Sequence, residues 1–199
     1  NIKKPFVVRN IPVPEAFLPC RTGLREMLDI CKQSKIFVYT GNVAPGRGIL
    51  NSLKSLQHLP SKYHFVCVGT INVDYKTELL NVAWDLGVNN RFHLIPKVKY
   101  EELVNLISEA DYAIIPIENK GQSYYHCLPN KLFESAYAGL PVLTSDFPDM
   151  SHVVISSSIG IVASLQNDYD ITLALIRLEN LFPNKLDERT IDSFASKYS

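Results

Sequence analysis

The alternation of short apolar runs with longer segments of helical period is the feature that most constrains the fold of this chain. From Ile36 onward, runs rich in β-branched and aromatic residues alternate with segments whose apolar residues recur at helical spacing. This alternation is typical of a parallel sheet whose strands are joined by crossover helices. Such crossovers are almost always right-handed. The chain is therefore predicted to adopt an α/β fold.

The predicted strands are mostly apolar on both faces, as in a sheet that helices cover on both sides. They are Ile36–Thr40, Tyr63–Val68, Arg91–Leu94, Tyr112–Ile115, Pro141–Thr144 and Gly160–Val162. The predicted helices are Arg47–Gln57, Tyr75–Leu86, Tyr100–Ala110, Pro129–Ala138 and Asp170–Leu181, and the chain ends in what could still be helix. We expect a doubly wound parallel six-stranded sheet with helices on both faces.

The first thirty-odd residues differ from the rest because they are rich in proline. Proline discourages regular structure, and Pro5, Pro12, Pro14 and Pro19 all fall in this stretch. We therefore interpret residues 1–34 as a lead-in or inter-domain linker and residues 35–199 as one domain. The chain opens without an initiator Met or a signal-type apolar stretch, so we expect it to be a piece of a longer protein.

Charge and cysteine content exclude several classes of function. Twenty Lys and Arg balance twenty Asp and Glu, so no overall field would recruit nucleic acid or an anionic membrane. The apolar runs are far shorter than the ~20 residues that span a bilayer. The four cysteines include no Cys-x-x-Cys pair, and Cys67 lies in an apolar run. A reduced, cytoplasmic setting fits these features best.

The loop after the first predicted strand is rich in glycine. It reads Thr40-Gly41-Asn42-Val43-Ala44-Pro45-Gly46-Arg47-Gly48 and precedes a predicted helix, whose N-terminus would favour a phosphate or diphosphate. Arg47 could add a bidentate contact. The alternative interpretation is a tight turn with an exposed arginine. The spacing matches neither the P-loop nor the Gly-x-Gly-x-x-Gly pattern, which disfavours ordinary NTPase and dinucleotide functions.

The helix that carries Glu134 has well-marked ends. Pro129 suits its first turn, Gly139 a left-handed cap and Pro141 a stop. Its apolar stripe leaves Glu134 and Lys131 elsewhere on the helix. A carboxylate there could accept hydrogen bonds from both hydroxyls of a ribose. The residues alone favour the alternative, which is an i, i+3 pair between Lys131 and Glu134 on a solvated face. The apolar stripe consists of Leu132, Phe133, Ala136, Tyr137 and Leu140.

Several segments together resemble a known family. The glycine loop resembles the Gly-Arg-Leu-x-x-x-Lys-Gly segment that opens the carboxy-terminal domain of retaining glycosyltransferases of the GT-B fold, in the group 1 (family 4-like) class. Residues 129–134 and 138–142 resemble the glutamate-bearing helix and the Gly-x-Pro-Val turn of this family. Residues 91–96, 100–103 and 110–116 resemble the strand, helix and strand between them. The resemblance covers most of residues 35–162 and implies a Rossmann-like domain.

This resemblance implies a binding site for a nucleotide-sugar donor. By position, Gly41, Asn42 and Arg47 would meet the diphosphate, and Glu134 would bind the ribose hydroxyls. The family's loop arginine is Asn42 here, which removes one positive charge from the site. The family's first glutamate, eight residues before the second, is His126 here.

Other residues then enter as candidates for the same site. Lys131 is a further candidate for donor binding, and the backbone at Val98 is a candidate contact for the nucleobase. Arg47 and His126 are the candidate catalytic residues, although a loop histidine is more often solvated than catalytic.

The family also implies the remaining features of the chemistry. Its members stabilise the departing diphosphate with basic residues and helix N-termini rather than with Mg²⁺, and no cluster of His, Cys and Asp in this chain has the spacing of a metal site. We therefore expect no metal and no cofactor. The partners would be a nucleotide-sugar donor and the protein's own N-terminal acceptor-binding domain, with membrane contact only through that missing part.

Two alternatives to a transferase remain. One is a domain of a nucleotide-sugar epimerase of related architecture. The other is a degenerate, non-catalytic module that binds a nucleotide or a partner, which the residues at Asn42 and His126 would permit.

Overall fold

The computed structural model describes residues 11–12 and 23–198. Its six strands form one parallel sheet in the order β3-β2-β1-β4-β5-β6. The strands are β1 (Lys35–Thr40), β2 (Tyr63–Gly69), β3 (Phe92–Pro96), β4 (Tyr112–Ile115), β5 (Val142–Ser145) and β6 (Gly160–Ala163). The predicted α/β class, the strand number and the parallel doubly wound sheet are confirmed. The direction of winding reverses between β1 and β4, which is where ligands bind in open sheets of this kind.

Helices cover both faces of the sheet, as predicted. One face packs against α2 (Ile49–Ser55), α3 (Val73–Asp85) and α8 (Asp168–Leu181). The other face packs against five helices. They are α1 (Leu24–Leu28), α4 (Tyr100–Ile107), α6 (Asn130–Tyr137), α7 (Pro148–Ser156) and α9 (Glu188–Tyr198). A short helix, α5 (Gln122–Tyr125), lies in the connection between β4 and α6.

Each strand supplies both cores because successive side chains point to opposite faces. In β1, Phe37 and Tyr39 lie in the core against α2, whereas Ile36 and Val38 lie in the core against α6. Phe37 stacks on Phe65 of β2, with ring centroids 4.8 Å apart. The sheet is therefore buried on both sides, which accounts for the continuous apolar runs in the sequence.

The helix starts differ from the predicted ones for identifiable reasons. α2 begins at Ile49 rather than Arg47, because Gly48 has a φ of +67° and keeps the preceding residues in the loop. A Cβ at Gly48 would also lie 1.9 Å from the carbonyl oxygen of Pro116, so only glycine fits there. α3 and α8 begin two residues earlier than predicted, where the side chains of Asn72 and Asn167 cap their first turns.

Four helices were not assigned from the sequence. α7 starts at Pro148 and α9 occupies most of the last described segment, where Phe194 packs against Phe133 of α6 at 5.8 Å between ring centroids. α5 and α1 are too short to show a period. α1 falls within the proline-rich stretch, where little regular structure was expected. The predictions that concern Pro5, Pro14, Pro19 and Cys20 fall outside the described residues.

The amino edge of the sheet is closed by a network around Asp111. Its carboxylate accepts hydrogen bonds from Arg25 Nη2 (2.7 Å), Lys35 Nζ (3.2 Å) and the Ile36 N–H (2.8 Å). Arg25 also donates to the carbonyl of Glu109, and its own N–H donates to the Glu109 carboxylate. The network ties α1 to the starts of β1 and β4.

Candidate functional site

A cavity of about 450 Å³ opens at the carboxyl edge of the sheet, beside α6. Its volume lies within the range of small-molecule sites. The lining residues come from the ends of β1 and β2, the loops that follow β1, β2 and β3, and the first turns of α4 and α6. They are Thr40, Gly41, Asn42, Val68, Gly69, Thr70, Lys97, Val98, Tyr100, Leu103, Asn130, Lys131 and Glu134.

Five of the seven candidate residues line this one cavity. Gly41 and Asn42 contribute from the glycine loop, Val98 from the loop after β3, and Lys131 and Glu134 from α6. The carboxylate of Glu134 therefore lies on the same side of the sheet edge as the glycine turn. Arg47 and His126, the two candidate catalytic residues, are absent from the lining residues.

The glycine loop is held by backbone contacts. The Gly41 N–H donates to the carbonyl of Val68 at 2.9 Å, and the Tyr39 hydroxyl donates to the carbonyl of Asn42 at 2.9 Å. Gly69 allows the loops after β1 and β2 to touch, since a Cβ there would lie 1.8 Å from the Gly41 carbonyl oxygen. The loop wall of the cavity is consequently set by backbone rather than by side chains.

Glu134 is buried, so the solvated-face interpretation of α6 is wrong. Its side chain is 7% exposed, and the neighbouring Ser135 is 2% exposed and donates to the carbonyl of Lys131. The expected apolar stripe exists, but α6 packs against the sheet and against both α4 and α9, which covers more of the helix than one stripe. Burial raises the pKa of the Glu134 carboxyl, and the positive charge of Lys131 partly opposes this rise.

The expected i, i+3 ion pair on α6 is also not formed. Within the described part of the chain, the carboxylate of Glu134 has neither a hydrogen-bond donor nor a cation within 4 Å. The ammonium of Lys131 instead lies 3.7 Å from the centroid of the Tyr39 ring. Burial, reinforced by repulsion from Arg47, lowers the pKa of Lys131 to about 7. Lys131 and Glu134 thus both line the cavity, but they do not form an ion pair with each other.

Arg47 is not among the residues that line the cavity. Its guanidinium is 5.2 Å from the centroid of the Tyr124 ring. The next residue, Gly48, donates its N–H to the Glu118 carboxylate at 3.3 Å, and that carboxylate pairs with Lys120 at 3.0 Å. The start of α2, which was expected to attract a phosphate, therefore already faces a carboxylate.

His126 follows the short helix α5 at the surface. Its Nδ1 is 3.5 Å from a carboxylate oxygen of Asp149, and its ring meets the edge of Tyr125 with centroids 5.0 Å apart. Both members of the His126–Asp149 pair are more than half exposed. The histidine that stands in the position of the family's first glutamate is thus solvated.

Sequence reasoning missed some residues of the cavity. Thr70 and Tyr100 line it, as does Lys97 beside Val98. All three follow the carboxyl ends of strands β2 and β3, and that position is the signal that could have found them. The hydroxyl of Thr40 at the end of β1 is buried, and no hydrogen-bond partner for it occurs among residues 11–12 and 23–198.

The expectation that no metal binds did not take account of one Asp-x-Asp triplet, Asp168-Tyr169-Asp170. Both carboxylates are engaged at the start of α8, since Asp168 pairs with His58 at 3.0 Å and Asp170 accepts from Asn167 at 2.9 Å. Residues 11–12 and 23–198 contain no group of three or more His, Cys, Asp or Glu side chains that could hold a metal ion. The helices in the same residues are all too short or too polar to cross a membrane.

The parallel sheet and its strand order define a Rossmann-like domain, and the cavity beside the glycine loop lies where the direction of winding reverses. Comparison of the sequence with family models narrows this class. Residues 21–192 match the model of the glycosyl transferases group 1, and the chain belongs to that family.

Individual relatives agree with this assignment. A D-inositol 3-phosphate glycosyltransferase of Xylanimonas cellulosilytica is 26% identical over 153 residues, which cover 76% of this chain and 35% of that protein. Among solved structures, Anabaena Alr3699/HepE in complex with UDP-glucose superposes with a TM-score of 0.79 at 14% identity, over 97% of this chain and 53% of that one.

A solved structure of an isolated domain also matches. The C-terminal domain of the group 1 glycosyl transferase LpcC from Francisella tularensis superposes with a TM-score of 0.66 at 13% identity, over 92% of both chains. The chain therefore spans about a third of the curated relative and about half of the longer structural neighbour, and it corresponds in extent to a single domain of the family.

Proposed function

We propose that this chain is the donor-binding half of a glycosyltransferase that transfers a sugar from a nucleotide-diphosphate sugar to an acceptor, with retention and without a metal. The observation that carries the proposal is the buried, unpaired carboxylate of Glu134 in the same cavity as Gly41 and Asn42. Anabaena Alr3699/HepE, which shares the fold, was solved with UDP-glucose bound. Residues 1–34 would lead from an N-terminal domain that supplies the acceptor site.

The burial of Glu134 and its place in the cavity lining support its assignment to the ribose. A buried carboxylate without a donor gains most from a ligand that brings two hydroxyls, because each charge-assisted hydrogen bond contributes about 1.5–3 kcal/mol. The raised pKa of Glu134 has the same origin, since water has been removed from the carboxyl and no donor has replaced it. The loop at Val98 lines the same cavity as the glycine loop and would meet the base.

Transfer requires charge stabilisation on the departing diphosphate. Arg47 would contribute if the ligand draws it away from the Tyr124 ring, and His126 would be the second catalytic residue. A non-catalytic nucleotide-binding module is the second candidate, and the absence of Arg47 from the cavity lining favours it. An epimerase would use the same cavity but form an epimer instead of a glycoside.

Calorimetric titration with UDP, GDP and ADP, and with their 2′-deoxy forms, tests the ribose assignment. The chain is expected to bind at least one ribonucleotide about tenfold more tightly than its 2′-deoxy form. Glu134→Ala should lower the affinity for the ribonucleotide by at least that factor and abolish the preference for ribose over 2′-deoxyribose. Glu78→Ala, which removes an exposed glutamate on the opposite face of the sheet, is the matched control.

The proposal fails if none of the three nucleotides binds, or if the preference for ribose survives in Glu134→Ala. Product analysis with the protein that also contains the N-terminal domain separates the remaining candidates. A transferase forms a glycoside, an epimerase forms an isomeric nucleotide sugar, and a binding module leaves the donor unchanged.

A further inference from the structure

Two cations at the carboxyl edge have aromatic rings rather than carboxylates as neighbours. Lys131 lies over Tyr39 and Arg47 lies over Tyr124. In the part of the chain that the structure describes, neither cation has a carboxylate oxygen within 4 Å. They also repel each other, since the charge of Arg47 disfavours a charge on Lys131. Like charges that share a partly desolvated space favour an anion between them.

Of the two cations, Lys131 is the one on the cavity wall. A Cβ added to Gly41 would lie 3.3 Å from its Nζ, so the ammonium lies directly against the backbone of the glycine loop. Asn42, the next residue of the loop, carries no charge and is exposed. The alternative anion site, at the start of α2, is weakened because the Gly48 N–H already donates to Glu118.

We propose that Lys131 supplies the positive charge that contacts the donor's diphosphate, so that this charge comes from α6 and not from the loop after β1. The inference rests on the proposed function, because the diphosphate is that of the nucleotide sugar. Lys131 and Glu134 are one helical turn apart and line the same cavity. One turn of α6 would then hold both polar parts of the nucleotide, with the diphosphate at Lys131 and the ribose at Glu134.

Burial makes this contact dependent on pH. The pKa of Lys131 is about 7 in the empty cavity, so a bound diphosphate would draw a proton onto the amine. Affinity should be highest below pH 7 and fall above it, because binding must then take up a proton. The other charged or titratable groups that face Lys131 or the cavity are Arg47, Glu134, Cys67, Cys127, Tyr39, Tyr100 and Lys97. Burial raises the pKa of both thiols and both tyrosines, which keeps them neutral near pH 7.

The first test separates the diphosphate from the rest of the nucleotide. The chain is titrated with UDP-glucose, GDP-mannose and ADP-glucose and with the matching free nucleosides. Lys131→Met is expected to lower the affinity for the nucleotide sugar by about 10- to 100-fold and the affinity for the nucleoside by less than about twofold. Lys185→Met is the matched control, because Lys185 lies at the amino edge, where it donates to the carbonyl of Ser108.

The second test moves the charge back to the loop. The double variant Asn42→Arg with Lys131→Met should regain at least about fivefold of the lost affinity, since an arginine at Asn42 enters the same cavity. Wild-type affinity for the nucleotide sugar should fall by up to about tenfold per pH unit above pH 7. The double variant should show a flat profile, because arginine stays protonated. The Lys131→Met profile provides the baseline for every other titrating group.

The outcomes separate the inference from the proposed function. If no nucleotide sugar and no nucleoside binds, both are overturned. Suppose that a nucleotide sugar binds, but that Lys131→Met lowers the affinities for the nucleotide sugar and the nucleoside by the same factor or changes neither. In that case only the role of Lys131 is overturned. A purely structural lysine would change thermal stability without changing this ratio, the pH profile or the response to Asn42→Arg.

Discussion

The two edges of the sheet differ in whether their buried and half-buried charged side chains are paired. At the amino edge, Asp111 is satisfied by Arg25, Lys35 and the Ile36 N–H, and each of these side chains is about a fifth exposed. At the carboxyl edge, Lys131 and Glu134 are buried or half-buried one turn apart, and neither has an ionic partner within 4 Å in the described residues.

The paired charges at the amino edge stabilise the fold, whereas the unpaired charges of Lys131 and Glu134 remain available to a ligand. A paired charge contributes to stability and is costly to disrupt, whereas a buried unpaired charge destabilises the empty protein. Substitutions at the amino edge should therefore reduce stability and leave nucleotide binding intact. Substitutions of Lys131 or Glu134 should do the reverse.

The largest effect is expected for Asp111→Ala. Its removal takes the carboxylate acceptor away from Arg25 Nη2, Lys35 Nζ and the Ile36 N–H, so the free energy of unfolding should fall by about 2–4 kcal/mol. Urea denaturation followed by circular dichroism measures this loss. Asp85→Ala, at the exposed end of α3, should change it by less than about 0.5 kcal/mol. A change below about 1 kcal/mol for Asp111→Ala would mean that the amino-edge network is not structural.

Lys131→Met should have an intermediate effect of the opposite sign. Removing a desolvated amine from beside the Tyr39 ring is expected to raise the free energy of unfolding by about 1–3 kcal/mol at pH 7. The pKa of Lys131 is lower in the folded chain, at about 7, than its ordinary value of 10.5, so the unfolded chain binds the proton more tightly. Wild-type stability relative to the variant should therefore rise as pH increases from 7.

Denaturation at several pH values between 6 and 9 checks this sign. The advantage of the methionine variant should shrink by up to about 1.4 kcal/mol per pH unit above pH 7. A variant that is less stable than wild type at every pH would show that Lys131 holds the fold, and the contrast between the two edges would be lost.

The smallest effect is expected for Asp149→Ala. Its pair with His126 lies at the carboxyl edge, but both side chains are more than half exposed and 3.5 Å apart. Exposed ion pairs contribute about 0–1 kcal/mol, so the free energy of unfolding should change by less than about 0.5 kcal/mol. Thermal denaturation at pH 6 and pH 8 measures this change. A decrease of more than about 1 kcal/mol in the free energy of unfolding at pH 6 would mean that the His126–Asp149 pair stabilises the fold.

Much of the fold follows from local patterns. The runs at Tyr112–Ile115 and Gly160–Val162 predicted β4 and β6 almost residue for residue, because a strand covered on both faces must be apolar throughout. The helix boundaries at Asn72 and Asn167 were missed by two residues, since a capping side chain is recognised only once its backbone turn is known. α9 was expected only as a helical end, because its Phe194 gains a partner only when Phe133 is folded beside it.

The sequence by itself determined the parallel α/β fold, the glycine loop and the candidates Gly41 and Glu134, because strand burial and turn chemistry are local properties. Only the tertiary structure decided that Glu134 is buried, that Lys131 lies over the ring of Tyr39, and that Arg47 lies over the ring of Tyr124 instead of lining the cavity. These outcomes depend on packing between elements distant in sequence. Helical spacing says which residues share a face of α6, but the sheet and the neighbouring helices decide which of them lose their water.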